Sequence, residues 1–133
     1  MEELPEIIHI ISDKQLRAEM IQDLINRSFH SAIDVFVLNT ENIESLEKDS
    51  GSNLFIIDLM GINEPSGKVI KNIKNHHPHR KLLALHIYRS SMLINPLYEM
   101  GIHGYLYYEP TKEELISAIK TVHQGKHHLP DFH

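Results

Sequence analysis

Leu54-Phe55-Ile56-Ile57 is an unbroken apolar run that ends on a charge, Asp58. So short a run of branched and aromatic residues reads as a β-strand. The lack of polar alternation means that both of its faces are covered, the condition of a strand inside a parallel sheet. Open parallel sheets place their sites beyond the carboxyl ends of the strands. Asp58 therefore stands at the edge where a site would form.

The rest of the chain supplies the partners such a strand needs. Ile7-Ile8-His9-Ile10-Ile11 ends at Ser12-Asp13, and residues 33–38, 82–85 and 104–107 give three more runs, the second of them ending at His86. Helical patterns fall between them. Leu16, Met20 and Leu24, with Ile21 and Ile25, mark one face of a first helix. Residues 41–49 predict a weak acidic second helix, and Val69, Ile70 and Ile73 mark a third, after a loop holding Gly61, Pro65 and Gly67. Pro96 interrupts the fourth; with Asn95 as its cap the helix would start late and run barely one turn, which is the preferred reading, and otherwise Pro96 kinks a longer helix. Thr111 to Glu114 is a capping box that opens a fifth helix carrying Leu115, Ile116, Ile119 and Val122 and stopping at Gly125. Alternating strands and helices, with right-handed crossovers, predict an α/β domain with a doubly wound parallel sheet over residues 1–125. Residues 126–133 read as a tail or the start of a linker.

Composition excludes several classes. There is no cysteine, so neither disulfides nor thiolate metal sites arise. No apolar run approaches the roughly 20 residues of a membrane span, and the acidic start, Met1-Glu2-Glu3, is unlike a signal peptide. A cytoplasmic protein is the expectation. The net charge of -5 argues against a nucleic-acid footprint. His76, His77 and His79, like His127 and His128, have no nearby carboxylate in sequence and read as solvated clusters. Lys68, Lys71 and Lys74 read as a solvated helix face. The segment after the first strand, Ser12-Asp13-Lys14-Gln15, lacks the glycines of a flavin phosphate loop.

Three strand ends bring Asp13, Asp58 and His86 to one edge. Two carboxylates there suit a hard divalent cation such as Mg2+, and an aspartate beside such an ion can attack a phosphoryl group. Each residue also has a structural reading: Asp13 as a helix N-cap, Asp58 as an acceptor for loop amides.

The order and spacing of Ile8-His9-Ile10-Ile11-Ser12-Asp13, Phe55-Ile56-Ile57-Asp58-Leu59-Met60, Lys81-Leu82-Leu83-Ala84-Leu85-His86 and Gly101-Ile102-His103-Gly104-Tyr105-Leu106, followed by Pro110 and Gly125, resemble the receiver domain of bacterial two-component response regulators, most closely those of LuxR-type transcription regulators. The resemblance spans nearly the whole chain. It implies a flavodoxin-like five-stranded sheet in the order 2-1-3-4-5. It also implies that Asp58 is the phospho-acceptor, that Asp13, Asp58 and the backbone carbonyl of Met60 bind Mg2+, and that Tyr105 is the aromatic residue that turns on activation. A sensor histidine kinase would be the phosphate source.

Three positions depart from that pattern. Ser12 replaces the first acid of the metal pair, His86 replaces the hydroxyl residue that bonds the phosphoryl group, and Tyr108 stands where a lysine would pair with it, or Glu109 if the register slides by one. A hydrogen bond to a charged group is worth roughly 1.5–3 kcal/mol, so the missing lysine weakens both phosphoryl transfer and its read-out. Two expectations follow, neither of them an enzyme with turnover. One is a receiver switching or dimerising through its fourth-helix, fifth-strand and fifth-helix face, with an atypical acceptor at Asp58. The other is a pseudo-receiver, a phosphorylation-independent interaction or dimerisation module. Family members carry a DNA-binding domain after the receiver, and these 133 residues contain none, so this domain itself is expected to bind no nucleic acid.

Overall fold

A computed structural model of the chain describes residues 4–46, 54–107 and 109–130. Five strands, β1 (Ile7–Ile11), β2 (Asp34–Leu38), β3 (Leu54–Asp58), β4 (Lys81–His86) and β5 (Gly104–Tyr107), form one sheet in the order β2-β1-β3-β4-β5. Every pairing is parallel. The apolar run that ends at Asp58 is β3, central and buried at all five residues. The doubly wound order expected from the sequence is therefore present.

Alternation along the strands splits the core into two layers. Ile8, Ile10, Ile56, Leu83, Leu85 and Leu106 face α1 (Gln15–Ser28) and α4 (Lys112–His123). Ile11, Phe55, Ile57, Leu82, Ala84 and Tyr105 face α2 (Ser66–His76) and α3 (Ser91–Met100). Full burial of such a side chain is worth roughly 1.5–3 kcal/mol, so these two layers dominate the fold's stability. Asp58 lies two residues beyond Ile56 and shares its face, which turns the carboxylate toward the start of α1.

Several elements differ from their expected form. The second helix is replaced by a 3-10 turn, Thr40–Asn42. The Asn39 side chain accepts from Asn42 N, and Ser45 Oγ donates to Asn42 O, local bonds that compete with a helical ladder. Residues 47–49 of that expected helix lie outside the described residues. The expected fourth and fifth helices are therefore α3 and α4. α3 does not start late at Pro96. It starts at Ser91, capped by Ser90, and carries Pro96 in its interior. Pro96 lies on the exposed side of the helix, clear of the packed core. In α1 the buried stripe is Ala18, Ile21 and Ile25, while Leu16 and Met20 are exposed. His77 is not solvated: it is buried edge-on against Phe55, with Nε2 at 3.1 Å from Ile43 O. Thr111 caps α4 as expected, with Glu114 N donating to Thr111 Oγ1, while the Glu114 carboxylate accepts from the Thr111 hydroxyl.

After α4 the chain does not leave the body. Residues 126–130 turn back along β5, where His128 forms a single parallel bridge to Gly104. Among the described residues no helix is long and apolar enough to cross a membrane.

Candidate functional site

Asp58 is fully buried at the carboxyl end of β3, and its carboxylate is surrounded. Arg17, in the first turn of α1, grips it with a two-pronged fork. Nη2 donates to Oδ1 at 2.7 Å, and Nε donates to Oδ2 at 2.9 Å and to Oδ1 at 3.2 Å. Planar forks of this kind are the strongest hydrogen-bonded ion pairs a protein makes. Ser12 closes the third side, with Oγ 3.0 Å from Oδ2. The same hydroxyl lies 3.3 Å from Lys14 O, but its one proton goes preferentially to the nearer, charged acceptor. The Ser12 oxygen meanwhile accepts from Lys14 N at 3.2 Å, which starts α1 in place of an N-cap side chain.

Gly61 forms the lid. Its amide donates to Asp58 O, closing a turn over residues 58–61 that holds Met60. A Cβ added at Gly61 would stand 2.3 Å from Asp58 Oδ2 and 2.8 Å from Ser12 Oγ. Only glycine lets the backbone come this close to the carboxylate.

Asp13 serves a different purpose. Its Oδ1 accepts from Thr40 N at 2.8 Å, and its Oδ2 accepts from Thr40 Oγ1 at 2.9 Å and from Asn63 N at 2.8 Å. Its own amide donates to Gly61 O. Asp13 is thus neither the helix cap nor turned to Asp58. It ties together the loops that follow β1, β2 and β3. Among the described residues no group of three or more histidines and carboxylates converges as a metal cluster would.

His86 ends β4 and stacks on Tyr88, with ring centroids 3.9 Å apart. Its Nδ1 accepts from Ile87 N at 2.8 Å, so that nitrogen carries no proton. Burial holds its pKa below the ordinary histidine range; the Asp58 carboxylate opposes this shift and the Arg17 guanidinium reinforces it. The ring is therefore neutral near pH 7. Tyr105 is fully buried, its hydroxyl donating to Tyr88 O at 2.5 Å, and burial pushes that phenol far above its usual pKa. Tyr108 lies outside the described residues. Glu109 and Pro110 line, with Arg17, Met20, Leu24 and Leu115, a mostly apolar cleft of about 240 Å³ between α1 and α4.

The structure thus brings together Asp58, Ser12 and His86 and sets Asp13 apart. Sequence reasoning missed Arg17 and the part played by Gly61. Arg17 had one legible signal. With neither Tyr108 nor Glu109 supplying a cation, a buried Asp58 needed a positive partner from another element.

No protein-family model and no curated protein matches the sequence. Solved structures do match. The isolated receiver (REC) domain of RcsB from Salmonella enterica serovar Typhimurium, with the phosphomimetic BeF3-, superposes with a TM-score of 0.77 at 15% identity, over 95% of this chain and 94% of that one. A two-component response regulator of the LuxR family from Aurantimonas sp. SI85-9A1 gives 0.76 at 18% identity, over 92% and 87%. A Burkholderia pseudomallei K96243 protein described as pilus assembly-related gives 0.75 at 15% identity, over 92% of each chain. The chain has the receiver fold. At these identities the likeness carries architecture, and the chemistry must be argued from the side chains.

Proposed function

We propose that this receiver-fold domain is a signalling module that works without phosphate, by docking and not by turnover, through the face formed by α3, β5 and α4. One observation carries the reading: both oxygens of Asp58 are already engaged by the Arg17 fork, with Ser12 and Gly61 closing the remaining approaches. Phosphoryl transfer to a carboxylate depends almost wholly on positioning and on neutralising charge on the transferred group. Here the positive charge is spent on the acceptor itself.

The donor set does not suit Mg2+. A hard dication takes several oxygen ligands, and Asp58 presents its oxygens to a guanidinium while Asp13 presents its own to Thr40 and Asn63. His86 offers an imidazole whose Nδ1 is an acceptor, a poor substitute for a hydroxyl that donates to a phosphoryl oxygen. The Arg17–Asp58 pair acts instead as an internal stand-in for the activated site, a fixed charge pair that ties α1 to the end of β3. The fold serves both response regulators and a pilus assembly-related protein, which fits a role set by surface contacts.

The competing reading is a Mg2+-dependent acceptor at Asp58 fed by a histidine kinase, favoured by the position of Asp58 at the end of β3. An NMR titration with Mg2+ and beryllofluoride separates the two. The phosphate-free reading predicts unmoved amides at Ser12, Asp13, Leu59 and Gly61. Saturable shifts at these amides that vanish in Asp58→Asn would establish the acceptor.

A further inference from the structure

β2 is the outer strand at the far side of the sheet from β5, and its backbone is only half used. Asp34 N donates to Glu6 O, and Leu38 O accepts from Ser12 N, so both residues turn their backbone groups to β1. Backbone direction alternates along a strand. Phe36 therefore also bonds to β1, while Val35 and Val37 point their N–H and C=O groups away from the sheet. One of these outward groups is met: Val35 O accepts from Gln22 Nε2, on α1, at 2.8 Å. Val35 N, Val37 N and Val37 O take no hydrogen bond among the described residues.

Proteins commonly blunt such an edge with a charge, a proline or a bulge. This edge has none of them between Val35 and Leu38. All four residues are apolar, β2 pairs with β1 residue for residue, and Phe36 and Val37 are 50% and 43% exposed. A groove of about 540 Å³ runs beside the edge, walled by Gln15, Glu19 and Gln22 of α1 and by Val35 and Val37 of β2. Its lining includes the carboxylates of Asp13 and Glu19 and no lysine or arginine. Asp34 adds a carboxylate at the exposed start of β2. Asp13 is bound by Thr40 and Asn63, whereas Glu19 is exposed and bonded by its neighbour Gln15. The field along the edge is therefore negative.

We propose that the β2 edge is a docking site for an extended peptide of alternating basic and apolar residues, which joins the sheet as an outer antiparallel strand. Doubly wound sheets commonly carry an antiparallel strand at an edge. In this pairing one peptide residue exchanges both backbone bonds with Val37, and the residue two further on takes Val35 N. Val35 O has two lone pairs, so it keeps Gln22 and still accepts from the peptide. Peptide side chains opposite Val35 and Val37 share their face and lie toward α1, where Glu19 favours lysine or arginine. The residue between them stands beside exposed Phe36 and favours an apolar side chain. The two faces of β2 thus set the alternation, and the carboxylates set the sign of charge; an acidic strand is repelled.

The test is amide hydrogen exchange, read by NMR on the whole chain. The probe is an alternating Lys-Val heptapeptide, and an alternating Glu-Val heptapeptide is its charge-reversed control. The expected result is a saturable slowing of exchange at Val35 and Val37 by roughly tenfold or more with the Lys-Val peptide, and none with Glu-Val. Val37→Pro removes an outward donor while keeping the ladder to β1, and Val37→Lys puts a charge on the edge. Circular dichroism confirms that each variant folds, and both are expected to lose the slowing at Val35. Unchanged exchange at Val35 and Val37 with the Lys-Val peptide overturns the proposal. Equal slowing by both peptides overturns the charge match, and with it the proposed partner. Slowing in the free protein that grows with its own concentration makes the occupant a second copy and overturns it too. β2 and β5 lie at opposite ends of the sheet, so no outcome bears on the α3-β5-α4 face or on Asp58.

Discussion

Asp58 is a buried charge, and buried charges are costly unless paired. Its stability contribution therefore depends on Arg17. Arg17→Ala leaves the carboxylate without its cation and is expected to cost about 3–5 kcal/mol in urea denaturation. Replacing both partners by apolar residues, Arg17→Met with Asp58→Leu, is expected to cost less than Arg17→Ala alone, because no charge is stranded. A double variant weaker than the single one would show that the pair is worth more than its desolvation. Gly61→Ala drives a Cβ into the Asp58 carboxylate and is expected to cost on the order of 1–3 kcal/mol, seen as a lower melting temperature. At this scale the sequence was half legible. Asp58 stood out because it is the first polar residue after a buried run. Arg17 did not, because its partner lies 41 positions away and the phase of α1 had to be known first.

That phase is where the element scale begins. The face read from spacing ran through Leu16, Met20, Ile21, Leu24 and Ile25, too wide a stripe to say where its centre lies. The sheet took Ile21 and Ile25, with Ala18, and packed Leu24 at the margin, leaving Leu16 and Met20 exposed and Arg17 beside the strand ends. The strands were read nearly to the residue, since a short apolar run between turns has few other uses. Residues 41–49 misled because helix propensity there is weak and the Asn39 and Ser45 side chains satisfy the backbone locally. Pro96 misled because a proline on a solvent-facing turn is tolerated, at a cost. Pro96→Ala restores a backbone N–H in α3 and is expected to raise stability by about 2 kcal/mol, the helix gain of about 3 being offset by about 1 from a freer unfolded chain. Unchanged denaturation would mean that α3 is bent to avoid the clash.

At the scale of the whole molecule, histidines set the response to acid. His103 is held down to about 4 by burial first, then by Lys74 on α2, Lys81 on β4 and His127 in the tail. Its Nδ1 accepts from Leu82 N, a bond that protonation there would break. Burial also lowers His9, helped by His77 and Arg80, and His128, against the pull of Glu114. A histidine depressed in the folded state binds its proton more readily when unfolded, so stability rises with pH across the window between the two values. Folding free energy is therefore expected to fall as pH drops from about 6.5 toward 4, with a lower urea midpoint at pH 5 than at pH 7. The histidine-rich composition hinted at this sensitivity. Which rings were buried was not legible, since His77 and His103 lie in turns that look solvated until the sheet closes behind them.

The central claim is that Asp58 is an acceptor position already closed by its own arginine. Intact-mass analysis after incubation with Mg2+ and a small phosphodonor tests it most directly, with Asp58→Asn as the control. The account predicts the same unmodified mass for both proteins. A phosphoryl adduct on the wild type that is absent from Asp58→Asn would contradict it.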